Sequence, residues 1–210
     1  MVSDNNPSLD TDEQKVSYGF GLQFGSQLLS NKFDSLDLDA VIAGVTDMYL
    51  HQTPRMSDEQ LNPSYDAIKT KQAAEAGVQN QKLKTLGETF LAENAKREGV
   101  IVTDSGMQYE VLEEGNGALP TASSVVKTHY HGTFIDGRVF DSSVERNDPA
   151  EFGVTQVISG WTEALQLMPV GSKWRIVLPS NLAYGERGAG DSIPSDTTLV
   201  FEIHLLDIVS

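Results

Sequence analysis

Gly132-Thr133-Phe134-Ile135-Asp136-Gly137-Arg138-Val139-Phe140-Asp141-Ser142-Ser143 is the stretch on which the reading of this chain turns. Asp136-Gly137 is a hairpin signal, because a tight two-residue turn needs positive φ and glycine supplies it without steric cost. On either side stand β-rich runs, 124–135 before the turn and 138–140 after it. Phe140 is followed at once by Asp141-Ser142-Ser143, so the second arm carries a large aromatic next to polar punctuation.

The same texture extends outward in both directions. Further β runs cover 107–112, 173–178 and 198–209, and one short helix over about 162–168 follows Trp161. Upstream of Gly99 the periodicity changes to helical. Val16, Phe20, Phe24 and Leu28 fall four apart within 13–30, forming one stripe of an amphipathic helix. Gly19, Gly21 and Gly25 each cost such a helix about 1 kcal/mol, so a close partner is expected against that face; Ser17, Gly21 and Gly25 have the small-xxx-small spacing that admits one.

A second helix is expected over 35–50, from Leu38, Val41, Ile42, Val45 and Tyr49, with Thr53-Pro54 interrupting the pattern. Ser57 followed by Gln60 has capping-box form and opens a helical run to Arg97, stopped by Gly99. Unbroken, that run would be about 60 Å long; Pro63 and Gly77 are the places where it can break or kink. Its middle is polar all round, as in helices that bridge domains through solvent. The expected organisation is therefore α+β. A helical region over 1–56 and a long connecting helix over 57–99 precede a mostly β domain over 100–210.

Composition excludes several functions. The net charge of −15 is shared by both halves of the chain, which argues against a phosphate-backbone binder. No stretch is apolar enough to span a bilayer. There is no cysteine, hence no thiolate metal site or thiol nucleophile, and no redox compartment is implied. The opening Met1–Lys15 is acidic and polar, without the basic and apolar regions of a signal, which predicts the cytoplasm, or the periplasm if a signal has been removed.

Familiar catalytic motifs fail. Val170-Gly171-Ser172-Lys173 lacks the order of a phosphate-binding loop, Phe24 stands where a dinucleotide fingerprint needs its third glycine, and no Gly-x-Ser-x-Gly elbow occurs. His129 and His131 share one strand face but have no third ligand, so ordinary strand histidines are the better reading and no metal is expected. Asp136, Asp141, Glu145 and Asp148 could supply paired carboxylates for glycoside chemistry, although Asp136-Gly137 reads better as a turn.

Taken together, Tyr130-His131-Gly132, the 132–143 stretch, Val157-Ile158-Ser159-Gly160-Trp161, Leu182-Ala183-Tyr184-Gly185, Ile193-Pro194 and Thr198-Leu199-Val200-Phe201 resemble the FK506-binding-protein family of peptidyl-prolyl cis/trans isomerases. The resemblance covers about 107–209. It implies an antiparallel sheet wrapped on a short helix with an apolar pocket between them. Its catalytic walls would be Tyr130, Phe140, Asp141, Val157, Ile158, Trp161, Tyr184 and Phe201, with Trp161 as floor. Arg146, Phe152 and Ile193 would serve substrate or inhibitor binding, and the Ile158 N–H and Tyr184 hydroxyl would meet ligand carbonyls. Ala150, Ala189 and Ser195 stand where larger or stiffer residues are usual, which opens the rim.

Ser17-Tyr18-Gly19 with Gly21, and Ala43-Gly44-Val45, are similar to the N-terminal region of the bacterial macrophage-infectivity-potentiator and 22-kDa members. That resemblance implies a V-shaped homodimer joined by the N-terminal helices. The implied activity is rotation of X-Pro bonds in protein folding, with no cofactor. The implied partners are proline-containing unfolded or partly folded chains and macrolides such as FK506 or rapamycin. A chaperone whose isomerase activity is vestigial is the alternative.

Overall fold

The computed structural model describes residues 7–31, 33–190 and 192–210. They form two units, one ending at Glu75 and one running from Ala76 to Ser210.

In the first unit α1 (Asp12–Ser30) starts at a capping box that the sequence reading did not single out: the Thr11 hydroxyl accepts the Gln14 N–H, and Gln14 Oε1 accepts the Thr11 N–H at 3.1 Å. No residue of α1 is buried, and Cβ atoms built on Gly19, Gly21 and Gly25 would meet nothing within 4 Å. The expected close partner is therefore absent from the described residues of the chain itself. The second helix, α2 (Leu38–Tyr49), begins three residues later than expected because Asp37 caps it, accepting N–H bonds from Asp39 and Ala40. Asp47 is its one buried residue, held by the Arg55 fork at 2.9 and 3.1 Å.

Helix α3 (Asp58–Asn94) begins in the first unit and ends in the second. Only half of the expected capping box forms: Gln60 Oε1 accepts the Ser57 N–H at 2.9 Å, while the Gln60 N–H goes to the Ser57 carbonyl. The helix runs through Pro63 and Gly77 and ends three residues before Arg97. Glu59, whose carbonyl loses the proline's missing N–H, is exposed, so water can take that carbonyl.

The second unit is a seven-stranded antiparallel sheet of β1 (Ile101–Val102), β2 (Gln108–Glu113), β3 (Val125–Phe134), β4 (Val139–Ser142), β5 (Ala150–Gly153), β6 (Lys173–Leu178) and β7 (Leu199–Ile208). Its order is β1-β2-β6-β7-β3-β4, with β5 also paired to β3. Strand β3 is the spine, pairing with β7 over Val126–Phe134 on one edge and sharing the other between β4 and β5. Its burial alternates, placing Val126, Thr128, Tyr130 and Gly132 inward. The helix after Trp161 was expected too late: α4 (Ser159–Leu167) starts two residues before the indole. Trp161, Ala164 and Leu165 of α4 pack with Met168 onto Trp174, Ile176, Leu178, Phe201 and Ile203. Strands β1 and β5 were not expected. They are two and four residues long, too short to show a period of two.

The opposite face of the sheet receives the end of α3. A Cβ on Gly87 would collide with the Thr198 side chain, so glycine sets the distance of closest approach there. Asn94 is buried and donates to Gln108 Oε1 at 2.8 Å, while Gln108 Nε2 donates to the Leu91 carbonyl at 2.9 Å. Arg97 and Arg175 both donate to Asn94 Oδ1, and Arg97 also pairs with Glu110 at 2.8 Å. The last turns of α3 are thus bonded into the β unit.

Candidate active site

Between the sheet and α4 lies a cavity of about 440 Å³. Strand β3 contributes Tyr130, β4 Phe140 and Asp141, β5 Phe152, and β7 Phe201; the segment entering α4 gives Gln156, Val157 and Ile158, and α4 gives Trp161. Tyr184 closes the lining from the segment after β6.

The cavity is built of rings. Trp161, 4% exposed, meets Tyr130, Phe152 and Phe201 edge to face, at centroid distances of 5.5, 5.7 and 5.4 Å and angles of 81–84°. Phe201 in turn meets Phe140 at 5.5 Å and 88°, and Phe140 meets Phe134 at 5.4 Å. Gly132 makes room for this: a Cβ there would lie 2.7 Å from Phe140 Cζ. Gly160 does the same for α4, since a Cβ would collide with the Leu178 side chain.

Among the described residues one carboxylate lines the cavity, and it is already engaged. Tyr130 donates its hydroxyl to Asp141 Oδ2 at 2.6 Å, Arg146 Nη1 donates to Asp141 Oδ1, and Arg146 Nη2 donates to the Tyr130 oxygen at 2.9 Å. The guanidinium also lies over the Tyr130 ring, 5.8 Å from its centroid. Burial pushes the Asp141 pKa upward, but the hydrogen bonds from Tyr130 and Arg146 outweigh it and hold the carboxyl below the usual range. The Tyr130 phenol is raised, first by burial and then by its bond to Asp141. Burial raises Tyr184 as well, followed by the Asp141 charge. Asp141 is therefore an anion and both phenols are neutral at ordinary pH, so none is poised near neutrality for proton transfer.

Several polar groups at the cavity are unpaired, among them the buried Trp161 indole N–H. The Ile158 N–H, at the N-cap of α4, has no partner among the described residues; the Ile158 carbonyl takes the Trp161 and Thr162 N–H groups. The Tyr184 hydroxyl likewise has none, and the residue is 38% exposed. Both can bond carbonyls of a bound chain.

All eight residues expected as catalytic walls meet at this one cavity, together with Phe152. Arg146 stands behind the lining, on Asp141 and Tyr130. Ile193 is off the lining too, buried and bridged to Ala189. Gln156 lines the cavity without having been expected; its place just before Val157-Ile158 was the signal available. The remaining candidates go elsewhere. His129 and His131 bond Ser143 and Ser142 through Nδ1, at 3.1 and 2.9 Å, and no group of three metal-ligating side chains occurs among the described residues. Asp136 is tied to Arg138 at the hairpin, and Glu145 and Asp148 are exposed off the lining, so among the described residues no carboxylate pair faces the cavity.

Comparison with known proteins agrees with this architecture. The family described as FKBP-type peptidyl-prolyl cis-trans isomerase matches residues 117–206, and the domain amino terminal to that isomerase matches 13–111. The chain is 47% identical to the FKBP-type 22 kDa peptidyl-prolyl cis-trans isomerase of Escherichia coli, covering 97% of this chain and 98% of that protein. It is 38% identical to the outer membrane protein MIP of Legionella longbeachae, over 99% of this chain and 91% of that one. The crystal structure of FkpA from Escherichia coli matches with a TM-score of 0.68 at 33% identity, covering 96% of this chain and 98% of that one. No helix of the described residues is long and apolar enough to cross a membrane. A ring-walled cavity on this sheet, with sequence matches over nearly the whole length, makes the chain a member of the FKBP-type peptidyl-prolyl cis-trans isomerases.

Proposed function

We propose that this isomerase accelerates X-Pro rotation by desolvation and grip, without proton transfer. An X-Pro amide is held planar by resonance behind a barrier of about 18–20 kcal/mol. Twisting it removes the charge-separated resonance form, so a water-poor aromatic cavity disfavours the planar state relative to the twisted one. An acceleration of about 10⁵ needs roughly 7 kcal/mol of such differential stabilisation. In this reading Trp161, Phe140, Phe201 and Val157 hold the prolyl ring, and the Ile158 N–H and Tyr184 hydroxyl hold flanking carbonyls, so that the chain turns about a single bond. Asp141, fixed by Tyr130 and Arg146, sets the field at the mouth. Phe152 fills the wall beside Trp161, and Ile193 supports the loop from behind.

The observation that carries this reading is the ring-lined cavity, whose Asp141 carboxylate is already paired to a guanidinium. The test is turnover of a Leu-Pro or Phe-Pro peptide, followed by NMR exchange, in Phe140→Ala, Asp141→Ala and Tyr184→Phe. The reading expects losses in all three, largest for Phe140→Ala; wild-type rates throughout would overturn the site assignment. The same cavity would accept macrolides such as FK506 or rapamycin, less tightly because Ala150 and Ala189 leave the rim open.

The N-terminal helices would join two copies, and the dimer would cradle unfolded, proline-containing chains as a chaperone. What supports this is the α1 stripe itself: Val16, Phe20 and Phe24 are 57%, 66% and 42% exposed, a continuous apolar face that soluble chains normally cover. For compartment, a cysteine-free chain suits the cytoplasm and the periplasm equally.

A further inference from the structure

The outer edge of β3 is shared by two strands that do not meet. Strand β5 pairs with it as far as Thr128, opposite Ala150, and β4 takes over at His131, opposite Ser142. Between these registers lies Tyr130, whose backbone groups on that edge have no strand to bond.

Ser143, the residue just past β4, fills the gap. Its hydroxyl oxygen accepts the Tyr130 N–H at 2.7 Å, and its hydroxyl donates to the Tyr130 carbonyl at 3.2 Å. Its own N–H donates to the same carbonyl at 3.0 Å. Ser143 is fully buried, and Tyr130 is 8% exposed, so no water competes for these groups. His129 Nδ1, 3.1 Å from the Ser143 oxygen, completes its shell.

We infer that Ser143 is a positioning residue for the isomerase reaction: it substitutes for the missing strand at Tyr130 and so aims the phenol at Asp141 and Arg146. The inference rests on the proposed place of Tyr130 in the site. Removing the hydroxyl strands a buried N–H on Tyr130, and the strand edge must move to find it a partner. That movement displaces the phenol oxygen, which bonds both Asp141 and Arg146.

The test is a double-mutant cycle in the full chain, combining Ser143→Ala with Tyr130→Phe and reading kcat/KM on a prolyl peptide beside thermal unfolding. Ser143→Cys, close in volume but weak in hydrogen bonding, carries the cycle if the alanine variant does not fold. Ser143→Ala is expected to lower kcat/KM about fivefold or more, and that loss is expected to shrink below about twofold in the Tyr130→Phe background. The drop in Tm should persist in both backgrounds. Losses that multiply unchanged, or a Ser143 variant that folds with wild-type kcat/KM, overturn the inference while leaving the site intact. Wild-type kcat/KM in Tyr130→Phe alone overturns the role of the hydroxyl in the site, and the inference with it.

Discussion

Gly132 shows how much the cavity depends on an atom that is not there. With Phe140 Cζ 2.7 Å from the position of a Cβ, Gly132→Ala must drive the Phe140 ring into the cavity it lines. The expected outcome is a fall of roughly tenfold in kcat/KM, about 1.4 kcal/mol, with a modest loss of Tm; peptide turnover and thermal unfolding measure the two. Asp141 makes a second prediction, through pH. Its folded-state pKa is lowered, so it binds its proton less readily in the native protein than in the unfolded chain. Its contribution to stability is therefore present above the ordinary carboxylate pKa and lost as pH falls through the depressed value. Denaturant titrations from neutral to acidic pH should show a smaller acid-side decline in Asp141→Asn than in wild type; identical slopes would contradict the pairing. At this scale the sequence was legible wherever a residue carried a distinctive side chain, as Trp161, Phe140 and Tyr184 do. It was opaque for Gln156 and Ser143, whose parts depend on where neighbouring strands stop.

Helix α3 changes character along its length, and that matters for where the isomerase unit begins. Its polar middle reads from sequence as a solvent-exposed bridge, yet its last turns bury Gly87 and Asn94 against the sheet. A fragment starting at residue 100 loses Asn94 and the Leu91 carbonyl, and with them both partners of the Gln108 amide and the helix that covers this face of the sheet. A fragment of residues 76–210 retains both and is expected to unfold several degrees higher, a difference of about 2–4 kcal/mol; equal melting temperatures would show that the α3 contacts contribute nothing. The expectation of a domain over 100–210 came from the change of periodicity at Gly99, which is real. Periodicity cannot show that Asn94, a polar residue near a helix end, will be buried by strands far along the chain. Strands β1 and β5 escaped for a related reason: two or four residues are held by the neighbours they pair with, not by a pattern of their own.

As a whole the chain joins an isomerase unit with a complete core to a helical unit whose first helix buries nothing. Sedimentation should give twice the chain mass of 22.9 kDa, and Phe20→Glu with Phe24→Glu should return it to a single chain without slowing turnover of short peptides. A single-chain mass for the wild type would contradict the proposed dimer. The stripe behind this prediction was fully legible in sequence; its partner was not, because an open face names no occupant. The proposed mechanism concerns chemistry: with a paired carboxylate, neutral phenols and a ring-lined cavity, amide twisting without proton transfer is the proposed work of the site. The most direct test is kcat/KM for one prolyl peptide in H2O and in D2O at matched pL. A ratio near one is predicted, because no proton moves in the rate-limiting twist; a ratio of about two or more would show proton transfer and contradict the account.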